Sequence, residues 1–258
     1  MRLFLFLLCF ITCSFLEVSG QTTGEISIPY SNPEFKGRIM LKIGNGSLSI
    51  KGTDRKDVLI KYMAKETVAK DADGGVPGLS IKEKSNFLFI DYDSARAGID
   101  LNIEVPLECD MELRTFNHGD IRITNVNGFI KAQNSKGDIT AKKISGAIST
   151  KTNDGQIEVE LLKAVPNTQM AFISGGQDMD VTLPKDIQAN LFVKNKGGKL
   201  YTNYKLEVTN TKPSYKFERI DAGEFQITKE DWMSSPINGG GPEVVIRNSN
   251  GDIYLRSK

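Results

Sequence analysis

Two aspartates in the segment GGQDMDV are the residues best placed to act as a catalytic pair. Asp178 and Asp180 are two positions apart, so on a β-strand both carboxylates would point to the same face. Paired carboxylates can cleave a polysaccharide without the help of a histidine. Met179 and Val181 would then form an opposite, apolar face, which is also the ordinary pattern of a half-buried strand. We favour the structural interpretation and keep the pair as the alternative catalytic site.

Acidic residues beside turn glycines suggest a second kind of chemistry, the binding of Ca²⁺ through oxygen ligands. The alternative metal ligands are Asp120, Asp138 and Asp154. However, the chain lacks the G-G-x-G-x-D-x-U-x signature of calcium-binding β-rolls. Aspartate is also common in turns because its side chain hydrogen-bonds nearby backbone groups. We therefore assign these aspartates to turns and predict neither a metal nor a cofactor.

His118 is the only histidine in the chain, so a Ser-His-Asp hydrolase would have to use it. It stands in a predicted turn beside Gly119, and no G-x-S-x-G motif occurs in the sequence. The sequence also lacks an H-E-x-x-H motif and a Cys-His cluster, which leaves a catalytic zinc ion without ligands. These observations favour a protein that is not an enzyme.

Lysines in the middle of the chain are candidate binding residues. Five of them fall between positions 131 and 151, where Asp138 is the single acidic residue. On the outward face of a regular sheet they could attract an anionic glycan or envelope polymer. They could equally keep the surface soluble and block aggregation between sheet edges. We select Lys131, Lys142 and Lys143 as the candidate binding lysines.

Trp232 is the candidate aromatic contact. It lies in the segment DWMSSPINGGGPE, residues 231–243, whose three consecutive glycines predict a mobile loop. Loops on a rigid scaffold often carry binding sites. The alternative is that this ring, like most large rings, fills a core or cap position.

The middle of the chain, from Gly119 to Val159, follows a repeat of nine residues. Each of five units has a glycine, any residue and an isoleucine, followed by alternating polar and apolar residues. Such alternation predicts half-buried β-strands, and glycine permits the sharp corner before each of them. The repeated residues are Gly119, Gly128, Gly137, Gly146 and Gly155, with Ile121, Ile130, Ile139, Ile148 and Ile157.

A second rhythm doubles this period. The residues just before each glycine alternate between polar and apolar, which places Val126, Ile144 and Leu162 eighteen residues apart. We therefore predict an all-β fold, a single-stranded β-helix-like solenoid with about 18 residues per coil in its central part. Its most regular repeats span residues 117–162. A meander of antiparallel hairpins could also give the nine-residue spacing.

Composition and the first twenty residues set the class of protein. The 258 residues contain 33 Lys and Arg against 32 Asp and Glu, a balance that argues against a nucleic-acid partner. Residues 1–20 combine an arginine, an apolar stretch and a small-residue end, which predicts a signal peptide. Residues 21–258 then form one mature domain without a transmembrane segment. Processing as a lipoprotein at Cys13 is disfavoured, because the residues before it are not small.

Several motifs occur in order along the chain: Val105-Pro106, the G-D-I and G-x-I repeats from Gly119 to Val159, Ser174-Gly175, Leu183-Pro184 and the closing N-G-D-I-Y-L strand. In these motifs the chain resembles the bacterial putative-adhesin family of β-strand-repeat domains, a domain of unknown function. The resemblance covers about residues 79–258. It implies an exported, solenoid-like domain, and the family supplies no catalytic residues to carry over.

The sequence therefore predicts an exported structural or adhesin-like protein of the bacterial envelope, located in the periplasm, at the cell surface or outside the cell. Its partner would be a polysaccharide or a surface protein. The alternative is a carbohydrate-active enzyme, a lyase or hydrolase, on the same scaffold.

Overall fold

The computed structural model describes residues 22–65, 76–93, 98–210, 214–221, 224–230 and 232–258. The predicted signal peptide at 1–20 lies outside these ranges. The described residues form strands, turns and bends without any helix, so the all-β prediction is confirmed. In these ranges there is accordingly no helix with the length and apolarity that a membrane span requires.

The strands are numbered in chain order. Those of the first half are β1 (Thr22–Pro29), β2 (Gly37–Ile43), β3 (Leu48–Thr53), β4 (Asp57–Ala64), β5 (Leu79–Lys84), β6 (Phe87–Tyr92), β7 (Ile99–Pro106), β8 (Cys109–His118), β9 (Ile121–Thr124), β10 (Asn127–Lys136) and β11 (Ile139–Asp154). Those of the second half are β12 (Ile157–Ala164), β13 (Met170–Ser174), β14 (Met179–Leu183), β15 (Ala189–Asn195), β16 (Leu200–Thr202), β17 (Thr209–Asn210), β18 (Ser214–Asp221), β19 (Glu224–Glu230), β20 (Met233–Ile237), β21 (Glu243–Asn248) and β22 (Ile253–Ser257).

Twenty of these strands belong to one hydrogen-bonded sheet, and β18 and β19 form a separate antiparallel hairpin. Within the large sheet, neighbouring parallel strands form two series. The first series runs β6, β2, β8, β10, the end of β11, β13, β21 and β15. The second series runs β7, β3, β9, the start of β11, β12, β14, β22 and β16.

Pairing in the central part follows the repeat. Ile139 stands opposite Ile121 on one side and Ile157 on the other, each 18 residues away in sequence. In the first series Ile130 stands opposite Ile148, again with an offset of 18 residues. All of these pairs are parallel, so the antiparallel meander that the nine-residue spacing also allowed is wrong for this part of the chain.

Strand order departs from chain order near both ends of the two series. β2 lies between β6 and β8, and β3 lies between β7 and β9. In the same way, β21 lies between β13 and β15, while β22 lies between β14 and β16. The last strand of the sequence is therefore an interior strand with a neighbour on each side.

The core lies between the two series. Inward side chains of both series belong to one hydrophobic cluster, because each strand turns alternate residues toward it. All five repeat isoleucines are buried in this cluster. Burial of this many β-branched and leucine side chains is the main source of stability for a chain without a disulfide among its described residues.

A row of small polar side chains interrupts the apolar core at one corner. Strand register places them opposite one another in neighbouring strands of the first series. Most of them donate a hydrogen bond to a backbone carbonyl of a turn, as Thr152 does to Gly137 at 3.1 Å and Ser174 does to Gly155 at 2.9 Å. The buried members are Thr115, Asn134, Thr152, Ser174 and Asn248.

Replacing Asn134 with alanine is expected to lower the free energy of unfolding by about 2–3 kcal/mol. The Asn134 amide donates to the Gly119 carbonyl at 2.6 Å, and its oxygen accepts from the Thr115 hydroxyl at 2.6 Å. Alanine would remove these bonds from the buried Thr115 hydroxyl and the half-buried Gly119 carbonyl. Denaturant unfolding measures the change, and Gln133→Ala, one position away on the outward side, is the matched control. Equal effects of the two substitutions would contradict the role of the polar row.

Cys109, the single cysteine outside the predicted leader, is buried, and its sulfur lies 3.7 Å from the Tyr30 hydroxyl. Burial raises the pKa of the Cys109 thiol to about 12. Because the thiolate is the reactive form, we expect alkylation at pH 8 to be about a thousandfold slower in the folded protein than in guanidinium. Mass spectrometry of timed alkylation measures both rates. Comparable rates in the two states would show that the thiol is accessible.

Candidate functional site

The aspartates beside the turn glycines bind backbone groups of the neighbouring turn. Asp120 Oδ1 accepts a hydrogen bond from the backbone nitrogen of Asp138 at 3.0 Å. Asp138 Oδ1 accepts in turn from the nitrogen of Gln156 at 2.8 Å. The same contact recurs where Asp178 Oδ1 accepts from the nitrogen of Asp252 at 2.8 Å. These carboxylates thus satisfy backbone donors that the corners would otherwise leave without a partner.

The three aspartates kept as alternative metal ligands do not form one cluster. Asp120 and Asp138 occupy equivalent turns, one above the other. Asp154 ends β11 and stands opposite Lys136 of β10, in the other strand series. Within the described ranges no group of three or more His, Cys, Asp or Glu side chains is arranged to hold a metal ion.

In the alternative catalytic pair, each aspartate makes a different structural contact. Asp180 binds the Arg256 guanidinium, with Nε at 3.0 Å from both carboxylate oxygens and a second nitrogen at 2.9 Å. This pair joins β14 to β22. Asp178 makes the turn contact already described and is exposed. The two carboxylates therefore have separate partners, and each partner belongs to the last strand or to the turn before it.

The candidate lysines lie in different strand series. Lys131 belongs to β10 in the first series, and its ammonium is 3.9 Å from Glu112. Lys142 belongs to the part of β11 in the second series and pairs with Glu158 at 2.8 Å. Lys143 follows it, and its backbone nitrogen donates to Glu160 at 3.3 Å. The structure does not bring the three lysines into one row, and two of their side chains already face a carboxylate.

Trp232 is half-buried, and its ring lies 5.6 Å from the Lys194 ammonium in a cation–π contact. The predicted mobile loop at 231–243 contains a strand, β20, which pairs antiparallel with β15. The loop prediction is therefore wrong for residues 233–237. The pairing with β15 and the burial of Ser234, Ser235 and Ile237 outweigh the glycines that follow.

Outward aromatic rings with cations beside them form a feature of the first series that the sequence reasoning missed. We call this the aromatic–cation surface. Phe87 and Phe89 on β6 and Phe129 on β10 all face away from the core. The cation–π distances to the ring centres lie between 5.4 and 5.8 Å. The pairs are Arg38 with Phe87, Lys42 with Phe89, and Lys36 with Phe129.

A groove of about 470 Å³ runs along this surface beside Phe129. Ala147 and Ser149, which follow on the next strand, are short side chains and leave its floor open. Thr168 and Gln169 from the connection between β12 and β13 form one side. The groove therefore combines an aromatic wall, a small-residue floor and hydrogen-bonding groups, which is the composition of a ligand site.

The two carboxylates of the groove are already paired. Asp110 binds the Lys36 ammonium at 2.5 Å and accepts from the backbone nitrogen of Phe129 at 2.7 Å. Glu112 pairs with Arg114 and lies 3.9 Å from Lys131. By contrast, the described part of the chain places no carboxylate within 4 Å of the Arg38 guanidinium.

A signal for this surface was present in the sequence. In NFLFIDY the phenylalanines alternate with Leu88 and Ile90, so a strand must turn either the rings or the aliphatic residues outward. The same holds for Phe129, which precedes the buried Ile130. Alternation thus indicates that these rings share a face of their strand, but it does not predict which strands lie side by side to form the groove.

Comparison with known proteins does not assign the chain to a family. No family model matches the chain, and no curated protein matches it. Among solved structures, it is similar to a "putative cell adhesion protein" from Clostridium sporogenes, with 14% identity, a TM-score of 0.48, and coverage of 93% of this chain and 100% of that one. A "putative adhesin" from Bacteroides fragilis has 12% identity and a TM-score of 0.31, with coverage of 93% and 98%. Because the identities and TM-scores are this low, the names apply to those two proteins and are not transferred to this chain.

Proposed function

We propose that this chain is an exported, non-enzymatic, adhesin-like protein that displays a rigid β-sheet surface to a glycan or protein partner. The observation that carries the proposal is the aromatic–cation surface with its groove. Aromatic and arginine side chains are among the residue types enriched where proteins bind their partners. The proposal includes a signal peptide at 1–20 and a single domain at 21–258.

The scaffold we propose is a β-solenoid in its central part, with coils of about 18 residues. The parallel register between Ile121, Ile139 and Ile157 supports it, as does the equal offset between Gly128 and Gly146. Such a scaffold holds outward side chains of successive coils one strand spacing apart, about 4.8 Å. Rows of contacts at fixed spacing suit a repeating partner such as a polysaccharide.

The structural contacts of the candidate catalytic residues support a function without turnover. Asp180 is held by Arg256, and Asp178 accepts from a backbone nitrogen. A carboxylate that acts as a general acid or base needs access to the substrate and freedom to exchange its proton. Both aspartates also lie on the second series, away from the groove of the first.

The experiment that tests this function measures retention and product release together. The protein, expressed from the full-length chain, is incubated with immobilised bacterial and host polysaccharides and surface proteins. We expect saturable retention on at least one of them without shortened or unsaturated sugars in solution. Release of such products would establish the carbohydrate-active enzyme instead, and Asp178→Asn and Asp180→Asn would then be compared with the parent. A lack of retention on every surface would refute the adhesin-like function.

A localisation in the periplasm, at the cell surface or outside the cell belongs to the same proposal. It rests on the predicted leader, and N-terminal sequencing of the protein recovered from each cell fraction tests it. A mature chain that begins near Gln21 in an extracytoplasmic fraction is the expected result, whereas an intact Met1 in the cytoplasm would contradict export.

A further inference from the structure

We propose that the groove beside Phe129 binds an acidic saccharide, a sugar ring that carries a carboxylate or sulfate group. The inference deepens the proposed function and rests on it, since it names the class of partner. Arg38 would contact the anionic group, and the exposed part of Phe129 would pack against the ring.

Charge is the first argument for an acidic ligand. Arg38 and Lys131 line the groove together with Asp110 and Glu112, and two further cations, Lys36 and Arg114, lie beside it as ion-pair partners of these carboxylates. Both carboxylates are paired and bring no free negative charge to an incoming anion. Arg38 keeps its guanidinium beside the Phe87 ring, at 5.7 Å from the ring centre. A guanidinium without a carboxylate partner offers two parallel donors that fit a carboxylate or sulfate.

Shape is the second argument, and it favours a sugar. Phe129 remains 50% exposed although Lys36 contacts its ring. The floor beside it is formed by Ala147 and Ser149, whose short side chains leave room for a ring of about the size of a hexose. Aromatic side chains pack well against flat apolar faces, including the C–H face of a sugar. The side chains of Thr168 and Gln169 can hydrogen-bond ring hydroxyls.

Nucleic acid fits this groove less well than an acidic saccharide. A nucleic acid carries one charge per phosphate and needs several cations along its path for useful affinity. Here the local excess is two positive charges, and the whole chain has a net charge of +1. A saccharide with one charge on each sugar or every second sugar matches so small an excess.

Calorimetric titration with a hexamer of a uronic acid tests the inference. The matched ligand is the same hexamer with its carboxylates reduced to alcohols, so that only the charge differs. We expect the acidic hexamer to bind about tenfold more tightly, a factor that corresponds to one charge-assisted contact. We also expect Arg38→Gln and Phe129→Ala each to weaken binding of the acidic hexamer by about tenfold.

Two further variants control for general effects of charge and exposure. Arg122→Gln removes an outward arginine from the second series, and Phe116→Ala removes a phenylalanine that is 52% exposed and lies outside the groove. Neither should change binding. All four positions are outward, so each variant is expected to fold. Far-UV circular dichroism and the melting temperature check this.

The outcomes separate this inference from the proposed function. Equal affinity for the acidic and reduced hexamers, or no effect of Arg38→Gln, would overturn the inference that the groove prefers an acidic saccharide. The adhesin-like function with a glycan partner would still stand. If the uronate fails to bind but the protein is retained on another polysaccharide or on a protein, the inference is overturned and the adhesin-like function stands. If the protein is retained on nothing at all, both fail together.

Discussion

Replacing Gly137 with alanine is expected to lower the free energy of unfolding by about 4 kcal/mol. Two effects combine at this corner. The backbone has φ +127°, a conformation that residues with a side chain rarely adopt. A Cβ atom would also lie 2.3 Å from the carbonyl oxygen of Gly119 in the turn of the neighbouring strand. Because the obstacle is backbone, neither turn can relieve the overlap without separating the paired strands.

Substitutions at two other glycines separate the effect of backbone conformation from that of close approach. At Gly155, where φ is not positive, an added Cβ would lie 2.0 Å from the oxygen of Gly137, so alanine there tests close approach alone. Gly239 has φ +87° and no atom within 4 Å of such a Cβ, so alanine there tests conformation alone. We expect Gly239→Ala to cost about 1 kcal/mol, the usual penalty of a left-handed backbone, and Gly155→Ala to fall between the other two.

Denaturant unfolding of the three variants, followed by circular dichroism, measures the series. The expected order of destabilisation is Gly137→Ala, then Gly155→Ala, then Gly239→Ala. If Gly239→Ala were as harmful as Gly155→Ala, close approach between stacked turns would not be the stronger of the two effects, and the expected order would be wrong. Near-neutral behaviour of Gly137→Ala would show that the corners are looser than their geometry indicates.

The central strands could be predicted from the sequence because the alternation of residue types and the spacing of glycines are local features of the chain. Alternation at Ile121, Ile139 and Ile157 fixes the inward face, and the glycine before each lets neighbouring turns approach closely, so register and spacing follow. The pairing of β2 between β6 and β8 could not be predicted in this way. Any strand with alternating residues can pair with any other, and the choice depends on long-range packing of side chains such as Ile39 and Leu41.

The candidate site was harder to predict than the fold. Lysines were selected by their density in sequence, yet consecutive strands alternate between the two series, and Lys131 and Lys142 are thereby separated. The groove instead combines Arg38 of β2 with Phe129 of β10, residues 91 positions apart in the chain. Only the insertion of β2 next to β8 brings them onto one surface. A site that depends on strand order is therefore invisible to any reading of local motifs.

Removing residues 243–258 is expected to abolish cooperative folding, although this segment is only the last part of the sequence. It contains β21 and β22, which lie between other strands of the two series. β22 alone stands opposite five residues of β14 and three of β16. Ile253 and Leu255 are fully buried, and each contributes about 1.5–3 kcal/mol through burial. With the loss of backbone pairing on both sides of two strands, the total approaches the whole stability of a typical domain, about 5–15 kcal/mol.

A thermal melt of the truncated chain measures this effect, and the variant with Tyr254→Ala and Arg256→Ala is its control. That variant keeps the strand and loses two outward side chains, so it should melt cooperatively with a cost of about 2 kcal/mol or less. Adding a synthetic peptide of residues 243–258 to the truncated chain should restore a cooperative transition, because β21 fits between β13 and β15 and β22 fits between β14 and β16. Strands stacked strictly in chain order would lose only an end pair. A truncated chain that still melts cooperatively, with a modestly lower midpoint, would therefore contradict the interior position of β21 and β22.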